Sequence, residues 1–115
     1  MRYAPGMAVE KWSDDVRVAH LGDDPQFADD LDQLNALAEG NGFHAVLDFA
    51  NVSFIGSSNI ADMLRLRKTL GGKQRRVICS GMDPAIRSTL QVTGVDQMFV
   101  HVDNVPMALA AVTMT

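Results

Sequence analysis

The feature of this sequence that most constrains its fold is the alternation of strand-like and helix-like segments after residue 44. Residues 45–49, 76–79 and 98–102 are short apolar runs, as is typical of strands that a sheet buries on both faces. The segments between them carry apolar residues at helical spacing. Strands that alternate with helices pair in parallel through crossover connections. The order of segments therefore predicts an α/β domain with a largely parallel sheet.

The chain before residue 45 predicts a hairpin and a helix. Residues 7–12 and 16–20 suit two antiparallel strands, which a turn at residues 13–15 would join. Asp24 as N-cap and Pro25 at the first helical position predict the start of a helix, because these residues favour those positions. The expected apolar face of that helix consists of Phe27, Leu31, Leu34, Leu37 and Ala38.

Three more helices complete the predicted fold. One begins at Ser58 and ends at Gly71, one follows Asp83 and has Gly94 as its C-cap, and the last covers residues 106–114. The inward residues of the first of these helices are expected to be Ile60, Met63, Leu64 and Leu70. We expect one domain over residues 1–115, with residues 1–6 as a flexible extension. Its mixed sheet should hold about four or five strands, with about four helices packed mainly on one face.

Composition excludes several classes of protein. The chain has 115 residues and a single cysteine, Cys79, so it can form no internal disulfide and no thiolate metal cluster. It contains no apolar stretch of the roughly 18 residues that a membrane span needs, and residues 1–6 have no signal-peptide core. The net charge of −4 argues against a nucleic-acid-binding protein. We therefore expect a cytoplasmic domain that binds neither nucleic acid nor membrane.

The charges are unevenly distributed. Residues 1–42 hold nine acidic and three basic side chains, whereas most of the remaining basic residues fall within residues 65–76. They are Arg65, Arg67, Lys68, Lys73, Arg75 and Arg76. The simpler interpretation is a solvated helix face and the turn after it. The alternative is a surface for an acidic partner.

The segment Gly56-Ser57-Ser58-Asn59 is the strongest candidate for a functional site. It places two hydroxyl groups where a strand ends and a helix begins, beside unpaired backbone N–H groups and the positive end of the helix dipole. A phosphate on either hydroxyl could be accommodated there. Plain N-capping by Ser57 or Ser58 is the alternative. The segment has neither the spacing and lysine of a phosphate-binding loop nor the glycines of a nucleophile elbow.

No other group of residues predicts a metal site, a cofactor or catalysis. His20, His44 and His101 are scattered and lack ligand spacing, so the sequence predicts no metal site and no cofactor. Cys79 lies inside an apolar strand and is expected to be a buried, unreactive thiol. No nucleophile, base and oxyanion donor occur in a supporting pattern, so we expect no enzymatic activity.

Residues 45–64 resemble the core motif of STAS domains, which occur in anti-sigma-factor antagonists and in the tails of sulfate transporters. In that family a strand with Leu-Asp leads to an apolar Val-x-Phe-Ile and then to Asp-Ser at a helix start; here Leu47-Asp48, residues 52–55 and Ser57 take those places. The similarity continues through residues 82–95, with Pro84, Ile86, Arg87, Leu90, Thr93, Gly94 and Val95. It covers nearly the whole chain and is weakest before residue 40.

The resemblance implies a partner-switching module. Its protein partner would be an anti-sigma factor with serine kinase activity, which binds the unmodified antagonist and lets go after phosphorylating it. By position Ser57 is the phosphate acceptor, and Ser58 is the less favoured one. Gly56 stands where the family has an aspartate that helps define the kinase site, and Asn59 stands where it has a glycine. Asp48, matching an aspartate common in such strands, could support the Ser57 loop or only cap a turn.

Helical spacing places the expected partner surface on the outer side of the helix that follows the serines. The surface consists of Gly56, Ser57, Ser58, Asn59, Asp62, Arg65, Lys68 and Thr69. We expect a monomer or a weak dimer. The alternative function is a STAS subunit that docks on a transporter ATPase, or one that senses a small ligand or nucleotide.

Overall fold

Five strands and four helices follow one another along residues 9–113, the part of the chain that the computed structural model describes. The strands are β1 (Val9–Ser13), β2 (Val16–Gly22), β3 (His44–Asn51), β4 (Val77–Ser80) and β5 (Val100–Val102). The helices are α1 (Gln26–Ala38), α2 (Ser57–Gly71), α3 (Pro84–Val92) and α4 (Val105–Thr113). The expected N-terminal extension at residues 1–6 lies outside the described residues, as does Met114.

The strands form one mixed sheet in the order β1-β2-β3-β4-β5. β1 and β2 are antiparallel, whereas β3 is parallel to β2, β4 to β3 and β5 to β4. In the centre Val46 pairs with Val18 on one side and with Ile78 on the other. The predicted opening hairpin and the parallel crossover units are therefore confirmed.

Helices α1, α2 and α3 cover one face of the sheet and α4 covers the other. The larger core contains Phe27 and Leu31 of α1, Met63 of α2 and Leu90 of α3. A smaller cluster holds Val18, Val46 and Ile78 of the sheet against Ala108 and Val112 of α4. The expectation that the helices pack mainly on one face is confirmed.

Cys79 occupies the middle of β4 and is completely buried in the larger core. Burial in apolar surroundings raises the pKa of its thiol to about 12, although the nearby Arg87 charge lowers it slightly. The thiol therefore stays protonated near neutral pH, in agreement with an unreactive, buried side chain.

The prediction for α1 needs two corrections. The helix begins at Gln26, so Pro25 is its N-cap residue and not its first helical residue. Asp24 nevertheless caps the first turn, since its Oδ1 accepts a hydrogen bond of 2.9 Å from the backbone N–H of Ala28. Leu37 was expected on the apolar face, but it is 41% exposed because it lies at the solvent edge of the helix.

The apolar face of α2 also differs from the prediction. Met63 and Leu70 are buried as expected, and Leu66 is fully buried although the sequence pattern did not single it out. Ile60 and Leu64 are only partly buried, because they flank the buried stripe instead of belonging to it. The helix also begins one residue earlier than expected, at Ser57.

The last strand is shorter than predicted. Residues Val95–Met98 form a single 3₁₀ turn, so β5 contains only Val100–Val102. Gly94, which follows the end of α3, has a φ of 76°, a left-handed conformation that glycine adopts without strain. This turn carries the chain from α3 to the edge of the sheet.

Candidate functional site

The candidate site lies where the chain leaves β3 and enters α2. Gly56 is the N-cap residue, and the side-chain Oδ1 of Asn59 accepts a hydrogen bond of 2.8 Å from the Gly56 N–H. The Gly56 carbonyl accepts the first helical hydrogen bond, from the Ile60 N–H at 3.1 Å. Ser57 and Ser58 therefore do not act as the N-cap residue, which was the alternative role for their hydroxyl groups.

Both serine side chains are exposed at the first two positions of α2. Within residues 9–113 neither hydroxyl group has a hydrogen-bond partner. The first turn of α2 contains no acidic residue, so the positive end of the helix dipole is not neutralised from within the turn. Such an end favours an added negative group on a serine oxygen.

Asn59 is buried beneath this turn, with 2% of its surface exposed. Its Nδ2 donates to both carboxylate oxygens of Asp24, at 3.1 and 3.2 Å, and Asp24 belongs to the loop between β2 and α1. Asn59 was expected on the partner surface, but its side chain points into the protein. This correction makes Asn59 the residue that fastens the start of α2 to the start of α1.

Asp23 holds the loop that leads into α2. Its Oδ1 accepts hydrogen bonds from the backbone N–H groups of Ser53, at 2.8 Å, and Phe54, at 3.2 Å, while Oδ2 accepts from the Ser53 hydroxyl. The Ser53 hydroxyl bond, followed by the backbone bonds, lowers the pKa of Asp23, so the clamp is ionised at neutral pH. Sequence analysis missed this role, since the only signal was a pair of aspartates after a strand.

Phe54 presents an aromatic ring to solvent beside the serines, with 71% of its surface exposed. A shallow groove of about 210 Å³ lies between this loop and α3, where Ala85, Ile86 and Thr89 form its other wall. Aromatic side chains are enriched in protein–protein interfaces, where they supply apolar contact area. The exposed ring therefore extends the candidate surface from α2 toward α3, and sequence analysis had not included it.

The exposed stripe of α2 is narrower than the sequence predicted. Ser57, Ala61, Arg65 and Lys68 are exposed and lie along one side of the helix by their spacing. Arg65 also reaches across to the end of α1, where its Nη2 lies 3.2 Å from Oε2 of the C-cap residue Glu39.

Asp62 and Thr69, two other predicted surface residues, are only half exposed. The Asp62 carbonyl accepts a hydrogen bond of 3.3 Å from Asn35 of α1, which places Asp62 at the seam between the two helices. Burial raises the pKa of the Asp62 carboxyl, and the neighbouring negative charge of Asp32 raises it further, although Arg65 opposes both. Both residues therefore form the border of the exposed stripe.

Asp48 makes its contacts away from the serine loop. Its Oδ1 accepts from the Ala50 N–H at 3.0 Å, within the last residues of β3, where the register with β2 is irregular. Its Oδ2 lies 2.9 Å from Nδ1 of His20, and the other ring nitrogen of His20 lies 3.1 Å from a carboxylate oxygen of Glu10. Among the described residues, Asp48 has no hydrogen bond to residues 52–57, so its expected support of the Ser57 loop is replaced by the pairing with His20.

No three histidine, cysteine, aspartate or glutamate side chains among residues 9–113 come together in an arrangement that could hold a metal ion. In the same part of the chain, no helix is both long enough and apolar enough to cross a bilayer.

The chain matches a known protein family. The model of the family described as "Mlab, STAS domain" matches residues 14–103, which include the whole of the site described above. No curated protein sequence matches the chain.

Several solved structures share the fold. The anti-sigma factor antagonist SpoIIAA in its unphosphorylated form superposes with a TM-score of 0.79 at 16% identity, covering 93% of this chain and 96% of its own. A Thermotoga maritima protein described as an anti-sigma factor antagonist gives 0.73 at 15% identity, covering 87% and 89%. An anti-sigma-factor antagonist (STAS) domain protein from Planctomyces limnophilus gives 0.71 at 21% identity, covering 84% and 88%. Because these sequence identities are low, the comparisons show that the fold is shared and nothing beyond that.

Proposed function

We propose a function from one premise: the chain belongs to the STAS domain family. In this proposal, the chain is a binding module without enzymatic activity, and its partner is an anti-sigma factor with serine kinase activity. The unmodified module binds this partner, and phosphorylation of Ser57 releases it. The names of the structures that share its fold, which describe anti-sigma factor antagonists, support this class of partner.

The observation that carries the proposal is that the Ser57 hydroxyl group has no hydrogen-bond partner among the described residues. Gly56 and Asn59 cap the helix, so the Ser57 hydroxyl is exposed and has no structural task among the described residues. A serine that is needed as a cap would lose its structural role on modification, whereas Ser57 can be modified while the cap stays in place. The helix dipole would in addition stabilise the phosphate by about 0.3–1 kcal/mol.

The proposed docking surface runs from the loop before α2 to the last turn of α2. It consists of Phe54, Gly56, Ser57, Ser58, Ala61, Arg65 and Lys68, with Asp62 and Thr69 at its border. The ring of Phe54 and the small Ala61 supply apolar contact, and Arg65 and Lys68 supply positive charge. Ser57 lies inside this surface, so a phosphate there reaches the interface directly, without a conformational relay.

The phosphorylation step belongs to the partner. The kinase transfers the γ-phosphoryl group of its ATP to Oγ of Ser57, the hydroxyl proton is lost to the kinase's base, and ADP leaves. The chain itself supplies no base for this step, since no histidine or carboxylate of the described residues is hydrogen-bonded to Ser57. This is also the reason why we propose a binding module instead of a hydrolase.

The proposal can be tested by capture of the partner followed by phosphorylation. Tagged protein from the native host should co-purify with an anti-sigma factor, and the purified pair with Mg-ATP should yield one phosphate, which mass spectrometry assigns to Ser57. Ser57→Ala should bind the same factor and remain unmodified, while Ser58→Ala, the matched control, should be phosphorylated like the wild type. A partner without kinase activity, or a phosphate at another residue, would contradict the proposal.

A further inference from the structure

A groove at the C-terminal end of α2 is a second surface feature of the described residues. This groove, of about 590 Å³, opens between the C-terminal end of α2, the beginning of β4 and the beginning of β5. Its walls carry four positively charged side chains: Arg67, Lys68, Arg75 and Arg76. Its α2 residues are Arg67, Lys68 and Gly71, so at 1.5 Å per residue the groove begins about 15 Å along the helix from Ser57, and Lys68 borders both the groove and the docking surface.

Among residues 9–113, three of these four positive charges have no acidic partner within salt-bridge distance. The exception is Arg75, whose guanidinium group lies 3.7 Å from a carboxylate oxygen of Asp15. Arg67 and Arg76 are instead positioned by backbone carbonyl groups, those of Met98 and Ala111. These bonds fix where the guanidinium groups lie without neutralising them, so a chain of net charge −4 keeps a concentrated positive site here.

The groove borders the free edge of the sheet. β5 is the last strand in the sheet order and pairs with β4 alone, so its outer edge has no strand partner in the described part of the chain. Val100, at its start, is 52% exposed, and Met98 is also exposed beside it. An unpaired edge with exposed apolar side chains is a template on which an extended segment can add.

We propose that this groove binds an extended acidic segment of a protein partner, with carboxylates against the arginines and aliphatic side chains against Met98 and Val100. Alternate residues of an added strand point to opposite sides, so a segment that alternates acidic and aliphatic residues fits both walls. The described lining offers no aromatic ring on which a nucleotide base could stack. A peptide therefore fits the groove better than a nucleotide does, and this binding does not depend on phosphorylation of Ser57.

The test uses a fluorescein-labelled peptide that alternates glutamate with valine, and a second peptide that alternates lysine with valine. Fluorescence anisotropy with the whole chain should show binding of the glutamate peptide only, with an affinity that falls as salt rises. Arg67→Gln with Arg76→Gln should weaken this binding by about tenfold or more, because two charges are lost while an amide donor is kept. Lys11→Gln with Arg87→Gln removes the same charge outside the groove and should leave the affinity unchanged.

A urea unfolding curve for each variant shows that it is folded, so a loss of binding can be assigned to the groove. Equal affinities for the groove variant and the control variant would overturn the proposal, as would equal binding of the two peptides. If ATP displaces the labelled peptide at a lower concentration than the unlabelled peptide does, the groove is a phosphate site instead. If the wild type is a dimer at sedimentation equilibrium and the groove variant is a monomer, the groove binds a second copy of the chain. Either result would also contradict the proposed acidic segment.

Discussion

At the scale of single residues, Asn59 shows how a polar side chain can be structural at a site that otherwise faces solvent. It accepts from Gly56 and donates to Asp24, so it joins two loops that lie 35 residues apart in the sequence. Among residues 9–113, the hydroxyl groups of its neighbours Ser57 and Ser58 have no hydrogen-bond partner. One helical turn therefore contains a buried amide that supports the structure and two exposed hydroxyl groups. A hydroxyl group can be modified there while the helix cap stays in place.

We predict that Asn59→Ala destabilises the protein by about 1–3 kcal/mol, because it leaves the Gly56 N–H and Oδ2 of Asp24 without the partner that Asn59 supplies. Oδ1 of Asp24 keeps its bond from the Ala28 N–H. Urea unfolding monitored by circular dichroism measures the change. Asn41→Ala, an exposed turn residue, is the control and should change the free energy of unfolding by less than about 0.5 kcal/mol. Equal stabilities of Asn59→Ala and the wild type would show that the loop is held without this residue.

At the scale of elements, His20 of β2 links the first three strands. Its two ring nitrogens lie beside carboxylates of Asp48 on β3 and Glu10 on β1. Only the protonated imidazole can donate from both nitrogens. Partial burial lowers the pKa of His20, but the hydrogen bonds to Asp48 and Glu10 and their negative charges raise it by more, so the net direction is upward.

A raised pKa makes the stabilisation by His20 greatest at acidic pH. The contribution is fully present below the pKa of an unfolded histidine, about 6.5, and it is lost as the pH rises through the higher pKa of the folded state. We predict that the free energy of unfolding of the wild type, relative to His20→Gln, falls by a few tenths to about 1 kcal/mol between about pH 6 and pH 9, since His20 is partly exposed.

Urea titrations of both proteins across this pH range give the difference directly. Comparison with His20→Gln removes the contribution of other groups, among them His44, whose pKa is lowered by burial and by the charges of Arg75 and Arg76. A difference that stays constant with pH, or that grows toward alkaline pH, would show that His20 is not stabilised as the imidazolium.

The exposed stripe of α2 gives a prediction about partner association. Ala61→Glu with Arg65→Glu should slow association with the anti-sigma factor by about tenfold at low salt, because charges at an interface mainly set the association rate. Neither residue lines the basic groove, so the effect belongs to the stripe. Lys11→Glu with Asn41→Asp, which changes the net charge equally, is the control for stopped-flow measurement. Equal association rates for the two double variants would exclude the stripe from the interface.

At the scale of the whole molecule, the order of elements was largely predictable because hydrophobic periodicity is local. The strands at β3 and β4 follow from short apolar runs, and the opening hairpin follows from alternation around a turn. Leu37 was placed on the apolar face of α1 but is exposed, and the buried Leu66 of α2 was not identified, since a helical pattern alone does not fix where the sheet lies.

The site could be predicted only in part. The exposed position of Ser57 and Ser58 at the start of α2 follows from their place between a strand and a helix, and the exposure of Arg65 and Lys68 follows from helical spacing. The clamps by Asp23 and Asp24 could not be predicted, because each joins residues about thirty positions apart through the fold. The basic groove likewise combines the end of α2 with residues that lie beyond α3 in the sequence, namely Met98 and Val100.

The central claim is that one phosphate on Ser57 decides whether this module holds its partner. Isothermal titration calorimetry of the anti-sigma factor with wild type and Ser57→Asp tests it most directly. A negative charge buried against a surface that fits a neutral hydroxyl should weaken binding about a hundredfold or more, and Ser57→Ala should bind like the wild type. Asn41→Asp adds the same charge elsewhere and should have no effect. Equal affinities of the wild type and Ser57→Asp would contradict the account.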